Sequence, residues 1–129
     1  MGFIDMNFDD VKEYKSVSEG EYQLRILSAE LKAGNKGQFI LVKLQIMGED
    51  PFTKDVTHVM MAPSAGDDAK QANNRKLAIK RFMEAFAIEF TGRVEPETWV
   101  GQSGWALLVE ETSEEYGTQN RIRRVIAGK

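Results

Sequence analysis

Lys32, Lys36, Phe39 and Lys43 fall within one short stretch and combine a single aromatic ring with three cations. A ring can stack on a nucleobase, and cations along the same path can neutralise phosphates. That is the chemistry of a single-strand nucleic-acid binder. Phe39 and Lys43 are an even number of residues apart, so a strand would place them on one face. Tyr116 offers a second ring further along, and Arg121 and Arg123 offer two more cations. Each feature also has a plainer reading. Phe39 could be covered by the N-terminal segment or by a second copy of the chain. Tyr116 could anchor its own hairpin, and the arginines could form a solvated strand face. Arg75, Lys76, Lys80 and Arg81 suit the outer face of an amphipathic helix as well as a basic patch. Trp99 and Trp105 read as structural, because an indole buries a large apolar area.

Catalytic chemistry finds little to work with. The chain has no cysteine, which removes thiolate nucleophiles, disulfides and Cys-type zinc sites. His58 is the single histidine and sits in an apolar run, so it reads as a packed residue rather than a metal ligand or general base. Glu110, Glu111, Glu114 and Glu115 lack the Asp/Asn/Gly spacing of a calcium loop and read as a solvated charge run. No phosphate-cradling glycine motif occurs, and Gly34-Asn35-Lys36-Gly37 is adequately explained as a turn. The expectation is a binding protein without enzymatic activity and without a cofactor.

Bulk composition is compatible with that. A length of 129 residues fits one domain, and 42% hydrophobic with 29% charged residues is ordinary for a globular chain. A net charge of −3 is unusual for a nucleic-acid binder. Its distribution softens the objection. Residues 1–21 carry six acids against two lysines, so the remaining 108 residues sum to +1. The acidic opening MGFIDMNFDD does not resemble a signal peptide, and Met6 stands where a myristoylation signal has Ser or Thr. A cytoplasmic address is expected.

The elements that must position these residues follow from periodicity. Residues 1–18 read as an N-terminal arm that packs through Phe3, Ile4, Met6 and Phe8, or else as a mobile acidic segment. Residues 19–129 form the domain. Tyr22, Leu24 and Ile26 alternate with polar residues, and after Ile26 the phase slips to Leu27, Ala29 and Leu31. The slip predicts a bulge in a long first strand. A turn at residues 33–37 leads to a second strand over about Gln38–Met47, with Ile40, Val42, Leu44 and Ile46 inward. Residues 53–61 favour a third strand. Asp67 or Asp68 caps a helix predicted from Ala69 to about Phe90, with Gly92 at its end. A fourth strand is expected over Gly104–Val109, a polar loop over Glu111–Gly117 and a fifth strand over Thr118–Ile126. Three strands, a helix and two strands is the order of a five-stranded antiparallel OB-fold barrel, with the helix between strands three and four. In that fold the second and third strands and the 1–2 and 4–5 loops line the ligand site, which would bring Lys32, Lys36, Phe39, Lys43 and Tyr116 onto one surface.

Gly20-Glu21-Tyr22, Ile26, Ala29-Glu30-Leu31-Lys32 and Gly37 resemble the DUF669 type of small bacteriophage protein. EAFAIEF at the helix end, VGQSGWALLV and Tyr116-Gly117 extend the likeness over residues 18–127. The resemblance implies an OB-fold single-stranded-DNA-binding protein that protects DNA in phage replication or recombination, with little sequence preference. It also implies phage or host replication proteins as partners and the host cytoplasm as location. The C-terminus, Ile126-Ala127-Gly128-Lys129, departs from the acidic recruiting tail of bacterial single-strand binders. RNA in place of DNA, and a homodimer through the sheet edges or the face around Phe39, stay open. The alternative is an OB-fold protein-interaction module acting as a replication or recombination accessory factor.

Overall fold

The computed structural model describes residues 2–129. Five strands form one antiparallel sheet: β1 (Gly20–Gly34), β2 (Gly37–Ile46), β3 (Val56–Met61), β4 (Ser103–Ser113) and β5 (Gly117–Ile126), ordered β3-β2-β1-β4-β5. Helix α1 (Ala69–Ala85) lies between β3 and β4, and a short 3-10 turn covers Pro96–Trp99. Among the described residues no helix is long and apolar enough to cross a membrane.

β1 is long because it serves two neighbours. Its first part pairs with β4 from Gly20 to Arg25, and it pairs with β2 from Leu24 to Gly34. The register shifts between Ile26 and Ser28, where the alternation in the sequence slips. Leu24 and Ile26 are buried before the bulge, and Ala29 is buried after it. The β1–β4 ladder ends at Arg25↔Ser103, and Ile26 bonds next to the residues just before β4. Gln102 O accepts from Ile26 N at 2.9 Å, and Gly101 N donates to Ile26 O at 2.9 Å.

Ile40, Val42, Leu44 and Ile46 of β2 meet Val56 and Met60 of β3 in the core. α1 closes this core with Ile79, Phe82 and Met83, joined by Phe86 just past its end. Phe82 stacks on Phe86 at 4.4 Å and lies 5.6 Å from the ring of Trp99, which is fully buried.

Several expected element boundaries are corrected. β3 starts at Val56, because Phe52 O and Lys54 N, on either side of Thr53, instead bond to Lys15 of the incoming arm. β3 and β5 are the two edges of the sheet; their Cα atoms come within 8 Å without a hydrogen-bonded ladder among the described residues, so closure into a barrel is not seen. β4 continues to Ser113, so the polar loop shrinks to residues 114–116. Both faces of that hairpin tip are wet, which removes the hydrophobic alternation that would mark a strand. Trp105 is half-buried on the outer side of β4, with the Lys129 ammonium 4.4 Å from its ring centre.

The helix ends at Ala85 rather than near Phe90, and Asp68 caps its start by accepting from Gln71 N. Ile88 N donates to Met83 O and Ala87 N to Glu84 O, the two bonds of a Schellman cap. The left-handed position of that cap is Ala87, at φ 55°, where glycine is the usual residue. Ala87→Gly should therefore stabilise the fold by about 1 kcal/mol, read from urea midpoints at constant m-value.

The arm is also corrected. Phe3 and Phe8 are 87% and 70% exposed, and Ile4 and Met6 are exposed with them. The arm attaches further along. Lys15 N donates to Phe52 O, Lys54 N donates to Lys15 O, and Tyr14 meets the Phe52 ring edge-on at 6.0 Å. Buried Asn120 of β5 then grips Val17. Its Oδ1 accepts from Val17 N at 2.8 Å, and its Nδ2 donates to Val17 O at 2.9 Å. A side-chain amide thus imitates a strand partner.

Candidate nucleic-acid interface

Strand register builds the outer face in rows. Lys32 of β1 lies opposite Phe39 of β2, which lies opposite Met61 of β3. The next outward row is Glu30, Leu41 and Val59, and the third is Ser28, Lys43 and Thr57. Arg25 and Gln45 form a fourth, before the bulge. Phe39 is half-buried because its ring lies over Gly34: a Cβ built there would be 3.1 Å from Phe39 Cε1. Gly34 thus lets the hairpin support one side of the ring. Lys36 is at the tip of the same hairpin, exposed.

The face continues toward β5. Thr57, which ends the Lys43 row, also lines a groove of about 280 Å³ with Tyr116, Gln119 and Arg121. Tyr116 is 63% exposed, and Ser113 Oγ accepts from its backbone N–H at 3.0 Å. The register therefore brings Lys32, Phe39 and Lys43 together and joins them through Thr57 to Tyr116 and Arg121.

The cations are not equivalent. Arg121 Nε donates to Glu111 Oε2 at 2.7 Å, and Lys32 lies 3.5 Å from Glu30. Both pairs are exposed, and such pairs contribute little. Lys36 and Lys43 form no ion pair among the described residues.

Arg123 departs from the expected surface. The β4–β5 ladder passes from Leu107↔Arg124 to Leu108↔Ile122, leaving Arg123 as the extra residue of a bulge. It lines a different cleft, of about 390 Å³, with His58, Arg81, Phe82 and Arg124. Bulges re-aim side chains in this way. The helix patch also divides. Arg75 Nη1 donates to Asp67 Oδ1 at 2.8 Å, holding the loop before α1, and Lys80 lies 4.0 Å from Glu84. Thr57, Met61 and Arg25 were not singled out by sequence reasoning. The outward parity of Thr57 and Met61 in β3 was readable, but their register against β2 was not.

His58 stacks on Phe82 at 5.7 Å, and burial lowers its pKa below the ordinary histidine value. The unfolded chain therefore binds a proton that the folded one resists. This contribution to stability is intact above pH ~6.5 and is lost as the pH falls through the folded pKa. His58→Phe keeps a ring on Phe82 and removes the proton. Its melting temperature should fall less steeply between pH 7 and pH 5 than the parent's, by calorimetry at matched salt.

No protein-family model matches the chain, and no curated protein is significantly similar to it in sequence.

Proposed function

We propose that the chain binds single-stranded DNA with little sequence preference, on the outer face of β1–β3 and the β4–β5 loop. The observation that carries this reading is the arrangement of rows. A supported ring, Phe39, has Lys32 opposite it and Lys43 two rows away, with Lys36, which forms no ion pair among the described residues, at the hairpin tip. Rings for stacking and cations spaced along an open sheet face are what a sequence-tolerant single-strand site needs. We read the fold as an OB-fold barrel whose β3 and β5 edges approach each other. The strand order and the helix between β3 and β4 support this reading, and OB-folds bind oligonucleotides on the corresponding face. The resemblance to DUF669-type phage proteins points the same way. On this reading the chain is a phage-encoded binding protein, not an enzyme, acting on DNA in replication or recombination within the host cytoplasm.

Leu41, Val59 and Met61 beside Phe39 give the face an apolar share that would also suit a protein partner. Fluorescence anisotropy of labelled oligo-dT, against duplex DNA of equal length and at two salt concentrations, separates the two. Binding that selects the single strand and weakens with salt is expected. Absence of binding at low salt would assign the face to protein instead. The same titration with oligo-U ranks RNA against DNA.

A further inference from the structure

A strongly apolar groove lies away from that face. It runs between α1 and residues 90–94, has a volume of about 410 Å³, and is lined by Ile79, Met83, Phe90 and Val94. Phe90 and Val94 are about half exposed. Lys76 and Lys80 also line the groove, and both are exposed. Lys76 forms no ion pair among the described residues, while Lys80 has only Glu84 at 4.0 Å.

The arm has the complementary character. Phe3, Ile4, Met6 and Phe8 are exposed apolar side chains interleaved with Asp5, Asp9 and Asp10. We infer that residues 3–10 of one copy dock into the α1 groove of a second copy, with Phe and Ile side chains in the groove and aspartates on the Lys76–Lys80 rim. This goes beyond the DNA-binding reading, and the groove shares no residue with the Phe39 face.

Reach favours a second copy over the arm's own groove. The arm is held at the β2–β3 turn: Lys15 pairs with Thr53, and the Lys12 ammonium lies 5.6 Å from the centre of the Phe52 ring. That turn precedes β3, whereas the groove begins at Pro63, beyond its other end. The β3 strand spans about 17 Å at roughly 3.3 Å per residue. Phe8 is four residues from Lys12 and reaches at most about 14 Å. While the anchor holds, Phe8 falls short of its own groove, whereas Phe3, nine residues from Lys12, spans up to about 32 Å; docking of the whole 3–10 segment is therefore what requires a neighbour's groove. Reciprocal docking of two arms closes a two-fold dimer.

Sedimentation velocity of the full chain over a concentration series tests the inference. The parent should form a concentration-dependent dimer. Phe3→Ser with Phe8→Ser, and separately Lys76→Glu with Lys80→Glu, should each raise the dissociation constant about tenfold or more. All four side chains are exposed, so both variants should melt like the parent. An equimolar mixture of the arm variant and the groove variant should recover a heterodimer, because one intact arm then meets one intact groove. A parent that stays monomeric at millimolar concentration overturns the inference. So does a dimer that neither double variant weakens, or a mixture that dimerises no better than its components.

Discussion

Gly104→Ala should destabilise the protein by about 3 kcal/mol or more, far beyond an ordinary glycine substitution in a strand. Gly104 lies on β4 opposite Leu24, where the C-terminal end of α1 crosses the sheet. A Cβ built there would be 2.3 Å from Ala85 O and 2.9 Å from both Ala85 C and Phe86 Cγ. Two of these three atoms are backbone, and the third belongs to the fully buried ring of Phe86, whose backbone N–H donates to Phe82 O at the helix end. Nothing nearby can swing aside, so relief requires the helix end to lift from the sheet. That lift separates Phe86 from the Phe82 stack and opens the core. Urea unfolding with an unchanged m-value would show the loss as a shift in midpoint. Gly20→Ala is the control: its nearest neighbour is Tyr22 Cε2 at 3.6 Å, an ordinary contact. Its effect should stay within about 1 kcal/mol. A Gly104→Ala protein that unfolds at the parent's midpoint would show that the helix end is not seated there.

The same crossing explains what the sequence could and could not convey. Alternation was readable wherever one face of a strand is buried. The slip after Ile26 appears as the bulge, and the inward set of β2 is the core. Alternation fails where burial gives no contrast. Glu111–Ser113 is strand, but both faces are solvated, and the ladder continues on backbone bonds and a Thr112–Thr118 hydroxyl contact at 2.9 Å. The helix seemed longer because its stop is carried by Ala87, a residue that ordinarily favours helix. Phe3, Ile4 and Phe8 read as packing residues because composition cannot distinguish an apolar side chain with a partner from one without. The anchors that do hold the arm, Tyr14, Lys15 and Val17, are fixed by long-range partners in the β2–β3 turn and β5. At the candidate site the period-2 step from Phe39 to Lys43 was local and therefore legible. The rows that add Met61 and Thr57 depend on inter-strand register. Arg123 was misplaced because a bulge between β4 and β5 leaves no mark in the residues flanking it.

Phe39→Ala should weaken oligo-dT binding by about 1–3 kcal/mol, roughly tenfold or more, while leaving the salt dependence almost unchanged. A ring supported on one side by Gly34 is already held in place, so little ordering is required when a base stacks on the other side. Lys43→Ala should leave the opposite signature. Lys43 lies between Ser28 and Thr57 and forms no ion pair among the described residues, which leaves it available to a phosphate. Its loss should lower affinity modestly and reduce the slope of log affinity against log salt by about 0.7, and Lys36→Ala should do the same. The two kinds of substitution therefore separate stacking from charge on one surface. Stability is the competing explanation for Phe39, because the ring also packs on the hairpin. Phe39→Leu keeps apolar cover over Gly34 without an aromatic face, and Phe39→Trp keeps the face. If stacking drives binding, the tryptophan variant retains affinity, and the leucine variant loses it while melting near the parent. Equal binding by the leucine variant and the parent would refute stacking at this position. Unchanged salt slopes for Lys36→Ala and Lys43→Ala would move the phosphate path off this face. The next place to look would be the cleft of Arg81, Arg123 and Arg124, where the cations are likewise unpaired among the described residues.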